Sequence, residues 1–293
     1  MRYLSPILLL AALSATSHAQ AQEPPQPETP EVTEELADSE APGKLSEGKW
    51  LWNDRHPAQW VVQFEPSAWL IGLAGDVRVG GGTRVDLTSV GADDPAVAPA
   101  GELHFRGDIW TVSLSGFAVG IDESEPAALG FTAGALTVGA GAPVRTEFDY
   151  TGLEATLGAR IWEQPLGDEP AEQVMMRLHL YGGARAHVVD VRFSSGGASA
   201  EDSVTWVQPL LGAKLELELW DVGSFDVALD YGLWPGGSND ISGLNVIAGF
   251  QWRPWGHVGV QVGYRLQVVD GEDGDFEWDG SAAGFYGGAV IRF

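Results

Sequence analysis

Beyond residue 60 the chain alternates apolar and polar positions with a period of two, in segments of about ten residues. The clearest segment puts Val258, Val260, Val262, Tyr264, Leu266 and Val268 on one face and Gly259, Gln261, Gly263, Arg265 and Gln267 on the other. A helical repeat of 3.6 would scatter both sets around the axis, so the spacing predicts a strand. Leu244/Val246/Ala248/Phe250/Trp252, Phe225/Val227/Leu229/Tyr231/Leu233 and Ala213/Leu215/Leu217/Leu219 repeat the pattern, opposite Asn245/Gly249/Gln251, Asp226/Asp230 and Lys214/Glu216/Glu218. Earlier strands are noisier: Leu153 to Ile161, Leu178/Leu180 against Arg177/His179/Tyr181, Trp110/Val112/Leu114, and Leu103/Phe105 against His104/Arg106. Near the start, Trp69/Ile71/Leu73 and Val77/Val79 are expected to face away from Asp76 and Arg78.

The connections fall into two kinds. Compact breaks occur at Gly107-Asp108, Asp221 to Ser224 and Pro254-Trp255-Gly256, and longer polar stretches at 80–100, 122–143, 194–202 and 270–281. Short turns at one end and long loops at the other are how outer-membrane barrels are strung. The predicted fold is therefore all-β, a closed antiparallel transmembrane β-barrel of about ten strands with short periplasmic turns and long external loops. Residues 129–140 admit either a loop or extra strand, which leaves eight or twelve strands as alternatives.

Alternation alone also suits a soluble β-sandwich. The polar face mixes opposite charges with Gly, Ser, Thr and Gln, as a narrow lumen requires, and this favours the barrel. In that register Arg78, Arg106, Arg160, Arg177, Arg185, Lys214, Arg265 and Arg292 point inward with Asp76, Glu154, Glu216, Glu218, Asp226 and Asp230. Such a network plugs a small barrel better than it lines an open pore. Trp60, Trp69, Trp110, Trp162, Trp220, Trp234, Trp252 and Trp255 are expected near strand ends, as headgroup-level girdles.

The first residues change the picture from fold to address. Arg2, the apolar run Pro6 to Leu13 and Ala19-Gln20-Ala21 have the order of a secretory signal, expected to span 1–21 and to be cleaved, with a site after Ala19 as a rival. Residues 22–59, rich in Pro and Glu, read as a disordered periplasmic tether, because so little apolar surface cannot offset ordering entropy. The barrel is assigned to 60–293. With no cysteine, the fold owes nothing to disulfides, and a net charge of -25 disfavours nucleic acid as a partner.

The last segment, Ala283-Gly284-Phe285-Tyr286-Gly287-Gly288-Ala289-Val290-Ile291-Arg292-Phe293, resembles the terminal β-signal of bacterial outer-membrane proteins. The final aromatic follows alternating apolar positions at Ile291, Ala289 and Phe285. The layout from residue 60 onward is similar to the small outer-membrane barrel superfamily with OmpA-like and OmpW-like domains. That resemblance implies residence in the outer membrane of a Gram-negative-type envelope. It also implies insertion by the barrel assembly machinery, with Phe285, Ile291 and Phe293 as the recognised end, and escort by periplasmic chaperones.

Catalytic signatures are absent: no G-x-S-x-G, H-E-x-x-H or phosphate loop can be read. A protease family among outer-membrane barrels uses an Asp-His couple at the outer rim, and no Asp-x-His lies within 60–293; the nearest candidates are His187 and Asp190. His179 and His187 share a strand face but are separated by roughly 26 Å, too far for one metal. Asp270, Glu272, Asp273, Asp275, Glu277 and Asp279 form an acidic stretch, read as a solvated loop rather than a calcium site because Tyr286 stands where a bidentate Glu is needed. No catalytic residue, cofactor or metal site is assigned. The expected function is a structural barrel, or a narrow channel or binding protein for small solutes, with Arg160, Arg177, Glu216, Asp230 and Arg265 as the lumen network. The alternative is an envelope enzyme acting on lipid or peptide at the external rim.

Overall fold

The computed structural model describes residues 61–166, 174–219, 222–237, 239–255 and 257–293. The expected signal segment 1–21, the Pro/Glu-rich stretch 22–59, Trp60 and Trp220 lie outside the described residues. The strands are β1 (Val62–Arg78), β2 (Val85–Asp86), β3 (Ala96–Arg106), β4 (Trp110–Pro126), β5 (Phe131–Ala133), β6 (Leu136–Val138), β7 (Pro143–Leu166), β8 (Val174–Ser195), β9 (Ala198–Leu219), β10 (Gly223–Pro235), β11 (Asn239–Trp252), β12 (Val258–Asp273) and β13 (Phe276–Arg292).

Hydrogen bonding runs β13-β12-β11-β10-β9-β8-β7-β4-β3-β1, and β13 pairs back onto β1. Among the described residues this makes a closed antiparallel barrel of ten staves. β2 is a two-residue strand beside the upper end of β1, at Asp76↔Asp86. Residues 129–140 contribute β5 and β6, which pair only with each other, so they add no stave. Closure leaves none of the ten staves as a free sheet edge, as a bilayer demands. The last residue completes the seam: Val61 N donates to Phe293 O at 2.8 Å and Phe293 N to Val62 O at 2.9 Å.

An apolar belt encircles the outside. Val258, Val260, Val262 and Tyr264 of β12, Phe225, Val227, Leu229, Tyr231 and Leu233 of β10, and Leu153, Leu157 and Ile161 of β7 are all exposed large hydrophobics. From Val258 to Val268 the chain covers about 33 Å along the strand and, at a tilt of about 40°, about 25 Å of membrane height. Trp110, Trp162, Trp234, Trp252 and Trp255 project outward from the barrel, as girdle residues should.

Above the belt the two faces exchange character. On β12, Val269 turns inward and is buried while Asp270 and Glu272 are exposed; on β8, Val189, Val191 and Phe193 are buried while Asp190 and Arg192 are exposed. The strands thus continue out of the membrane as a water-facing prism with an oily interior. β1 follows this rule, which corrects two expectations. Trp69, Ile71, Leu73 and Val77 are inward and buried, so Trp69 belongs to no girdle, and the alternate positions Asp76 and Arg78 lie on the outer face.

The outer ends also differ from the expected long loops at 194–202 and 270–281, because those residues are strand. β8 and β9 join through Gly196-Gly197, between the paired Ser195 and Ala198, and β12 and β13 through Gly274-Asp275. Gly196 and Gly197 have φ of 59° and 85°, a combination that a two-residue hairpin of this twist requires and glycine supplies freely. The polarity of these stretches came from the solvent-facing alternate positions, not from irregular backbone.

The two longer external excursions fold over the barrel mouth. Leu87–Val90 forms a 3₁₀ turn, capped by Asp86, whose carboxylate accepts from Thr88 N at 2.9 Å, with Leu87 and Val90 buried. The β5–β6 hairpin buries Phe131, Ala133, Leu136 and Val138, and Phe131 meets Phe193 of β8 edge to face at 5.2 Å. Ala128 N donates to Ser89 O at 3.0 Å and Thr83 N to Thr132 O at 2.9 Å, which stitches the two excursions together.

Candidate functional site in the barrel interior

The inward side chains are stacked in tiers from the periplasmic to the external end. Lowest is an arginine cluster around Glu218. Arg253, from the β11–β12 turn, is fully buried and donates to Ser224 Oγ and Gln251 Oε1 at 3.0 Å each and to Glu218 Oε1 at 3.2 Å. Arg292 reaches the same Glu218 oxygen at 3.4 Å and also bonds Gln63, and Arg177 pairs with Glu218 and, at 3.2 Å, with Glu216. Glu163 extends the chain outward, accepting from Arg177 at 2.8 Å and from Arg160 at 2.6 Å.

Above it lies a cavity of about 140 Å³, lined by residues from all ten staves. Such a volume holds several waters. One wall carries Glu65 of β1 with Glu102 and His104 of β3; another carries Lys214 of β9, 3.7 Å from Asp226 of β10. Gln251 Nε2 donates to Glu65 Oε1 at 2.9 Å.

The cavity ceiling is a second ionic group. Arg185 donates to Glu154 at 2.5 Å and 2.8 Å and to Asp230 at 2.6 Å. Asp230 also accepts from Asn245 at 2.8 Å, and Asn245 Oδ1 accepts from Arg265 Nε at 3.1 Å. Next comes a hydrogen-bonded relay through His187. Tyr150 Oη lies 3.1 Å from the Gln267 side-chain amide and 2.8 Å from His187 Nδ1, and the Gln208 side-chain amide lies 2.9 Å from His187 Nε2.

The top tier is apolar and aromatic. Trp69 meets Phe117 at 5.0 Å, Phe117 meets Tyr150 at 5.0 Å, Tyr150 meets Trp278 at 4.7 Å and Trp278 meets Phe148 at 5.8 Å, all edge to face. From the opposite wall Trp206 of β9 packs on Phe276 at 5.7 Å, and Gly271 of β12 leaves the room it needs: a Cβ there would stand 3.0 Å from the Trp206 ring. Edge-to-face pairs of this kind add about 0.5–1.5 kcal/mol each beyond area burial.

Of the five residues read as one lumen network, Arg160, Arg177 and Glu216 join the lower ionic group, and Asp230 and Arg265 the upper one. Arg160 sits at the rim, its guanidinium 2.9 Å from the Asp108 carbonyl. Phe285 is exposed on the belt and packs edge to face on Tyr264 at 5.2 Å; Ile291 shares its outward face. His187 and Asp190 do not form a couple: His187 is fully buried inside and Asp190 is exposed outside. The acidic stretch at 270–279 is split between the two arms of a hairpin, with Glu277 held by Arg84 and, at 3.2 Å, by Arg78. Three residues escaped the alternation. Arg253 lies in a turn beyond its strand, and the meeting of Glu65 with Glu102 depends on a pairing across the 79–95 excursion.

On the outer face above the belt, like charges sit abreast. Asp76, Asp279 and Asp270 are direct cross-strand neighbours on β1, β13 and β12. Partial burial, then Asp279 and Glu272, push the Asp270 carboxyl above its ordinary range despite Arg84 nearby. Asp149 is raised by partial burial and by Asp190, its partner across β7 and β8. Asp122 is instead held low by hydrogen bonds from Arg145 at 2.7 Å and 2.8 Å.

No protein-family profile and no curated relative matches the chain. Among solved structures it is similar to the outer membrane protease OmpT of Escherichia coli, at 9% identity and a TM-score of 0.39 over 80% of this chain and 97% of that one. It is similar to the Neisserial surface protein A, at 10% identity and 0.33 over 79% and 97%. Ail, the attachment invasion locus protein of Yersinia pestis, gives 14% identity and 0.33 over 79% and 99%. These likenesses say nothing of activity; the closed ring of strands and its apolar belt make the chain a small β-barrel of the outer-membrane kind.

Proposed function

We propose that this protein is exported, released from residues 1–21, and stands in the outer membrane as a closed, non-catalytic barrel that binds a small polar solute or ion in its lower cavity without passing it across. The reading rests on one observation: the aromatic tier of Trp69, Phe117, Tyr150, Trp278, Phe148, Trp206 and Phe276 fills the barrel above the cavity. Hydrated ions need a continuous polar path, and packed aromatic rings offer none. In this reading the 22–59 stretch spans the periplasm as a tether, and Phe285, Ile291 and Phe293 present the end that the barrel assembly machinery receives from periplasmic chaperones.

The test is electrical. Purified full-length protein reconstituted in planar bilayers is expected to give no steady conductance above the lipid baseline. Large, persistent porin-like currents overturn the closed barrel. Heat-modifiable migration on gels together with recovery in the outer-membrane fraction checks the location; release as a soluble periplasmic protein refutes it.

A further inference from the structure

We propose that Glu65, Glu102 and His104 form a metal site for a zinc-type divalent cation, with an open coordination position facing the lumen cavity. The inference holds whether or not the barrel conducts. β1 and β3 pair so that Glu65 stands directly opposite Glu102 and Gln63 opposite His104, and Glu65, Glu102 and His104 all line the cavity. His104 Nε2 lies 3.5 Å from Glu65 Oε1 and 3.4 Å from Glu102 Oε2, and one ligand atom from each of the three falls within 4.8 Å of the others. Charge-assisted hydrogen bonds between such groups close to about 2.7–2.9 Å. A tetrahedral zinc with ligand bonds of about 2.0–2.2 Å instead spaces its ligand atoms about 3.4 Å apart. The two separations from His104 match the edge of that tetrahedron, and the two carboxylate oxygens lie within 4.8 Å of each other.

The surroundings fit the same chemistry. His104 Nδ1 is 2.8 Å from Ser113 Oγ, the outer-shell partner that orients a ligating imidazole and turns Nε2 toward the metal. Glu65 is steadied from the side by Gln63 and Gln251. Directly opposed carboxylates repel across a strand pair, and a cation between them reverses the sign of that contact. Three protein ligands, one open position and a cavity that holds several waters in front of it are the layout of a zinc site that takes an exogenous ligand.

Full-length protein, folded in detergent and stripped with chelator, is titrated with zinc by calorimetry, with calcium as comparator. One equivalent of zinc is expected to bind, with calcium at least tenfold weaker. His104→Gln and Glu102→Gln, each verified as folded by heat-modifiable migration, are expected to weaken zinc at least tenfold, while the exposed Asp94→Asn leaves it unchanged. On the unsubstituted chain, cobalt(II) should give the intense visible bands of a tetrahedral site. Failure of the wild-type chain to take up zinc, unchanged affinity in both cavity variants, or the pale spectrum of six-coordinate cobalt overturns the site.

Discussion

The Arg265 guanidinium lies 5.4 Å from the centre of the Trp69 ring, and 5.6 Å from that of Phe117, at the level where the barrel interior changes from ionic to apolar. One face of the cation is spent on rings and one edge on Asn245, so the side chain joins the two tiers. A desolvated cation–π contact is worth about 2 kcal/mol. Arg265→Met is therefore expected to lower the unfolding free energy in urea by about that amount, and Arg265→Lys to recover less than half, because an ammonium cannot stack flat. Equal stability of wild type and Arg265→Met would remove the contact from the account.

Arg185 stands between two carboxylates, Glu154 and Asp230, with both the arginine and Asp230 almost wholly buried. Replacing it with Leu leaves two interior anions uncompensated, and breaking buried pairs of this kind costs about 3–5 kcal/mol. The triple variant Arg185→Leu, Glu154→Gln, Asp230→Asn removes charge and countercharge together and is expected to regain most of that loss. Unfolding midpoints of the three proteins in lipid vesicles decide it: a triple variant no better than the single one would show that the cost is packing rather than charge.

Trp278 touches Tyr150 and Phe148 in the middle of the aromatic tier and is fully buried. Trp278→Ala opens a cavity there and is expected to cost about 3–5 kcal/mol. Trp234→Ala, on a side chain half exposed at the outer surface, should cost less than half as much by the same urea titration. Comparable losses at the two positions would mean that the upper tier is loosely filled.

How much of this was legible in the sequence follows from what alternation encodes. A period of two separates the faces of a strand but does not say which face is inside. Within the belt, Val260 against Gln261 and Leu229 against Asp230 resolve correctly, because hydrocarbon outside and charge inside is the arrangement a membrane stave needs. Above the belt water replaces hydrocarbon, and the same period inverts: Ile71 and Leu73 go in and Asp76 goes out. Nothing in β1 alone marks the height at which this exchange happens. His104 was visible with Arg106 on the polar face of β3, but Glu102 was not singled out, and the juxtaposition of both with Glu65 is a property of register between strands separated by a folded excursion, which no local pattern carries.

The C-terminal Phe293 completes the seam through its backbone, yet its ring takes no part in that pairing. If the ring is what the assembly machinery reads, Phe293→Ala should sharply reduce the folded barrel recovered from outer membranes while refolding into detergent proceeds as for wild type. A parallel loss in both measurements would assign the residue to stability alone.

The row Asp76, Asp279 and Asp270 places like charges directly opposite one another on the water-facing part of β1, β13 and β12. Asp270 is the member whose carboxyl is raised, by partial burial and then by Asp279, above its ordinary value of 3.8. Between that value and the raised one the folded state holds more proton than the unfolded chain, so stability falls as pH climbs through the window, and the loss is complete above it. Asp279→Asn removes the repelling neighbour. At neutral pH and low salt it is expected to stabilise the barrel by about 0.5 kcal/mol, a size set by exposed cross-strand charge pairs screened by water. The gain should shrink as ionic strength rises and vanish below the ordinary aspartate range, where Asp270 is protonated in both states. A gain of the same size at acidic and neutral pH would show that the substitution acts through side-chain volume or strand propensity, not through charge.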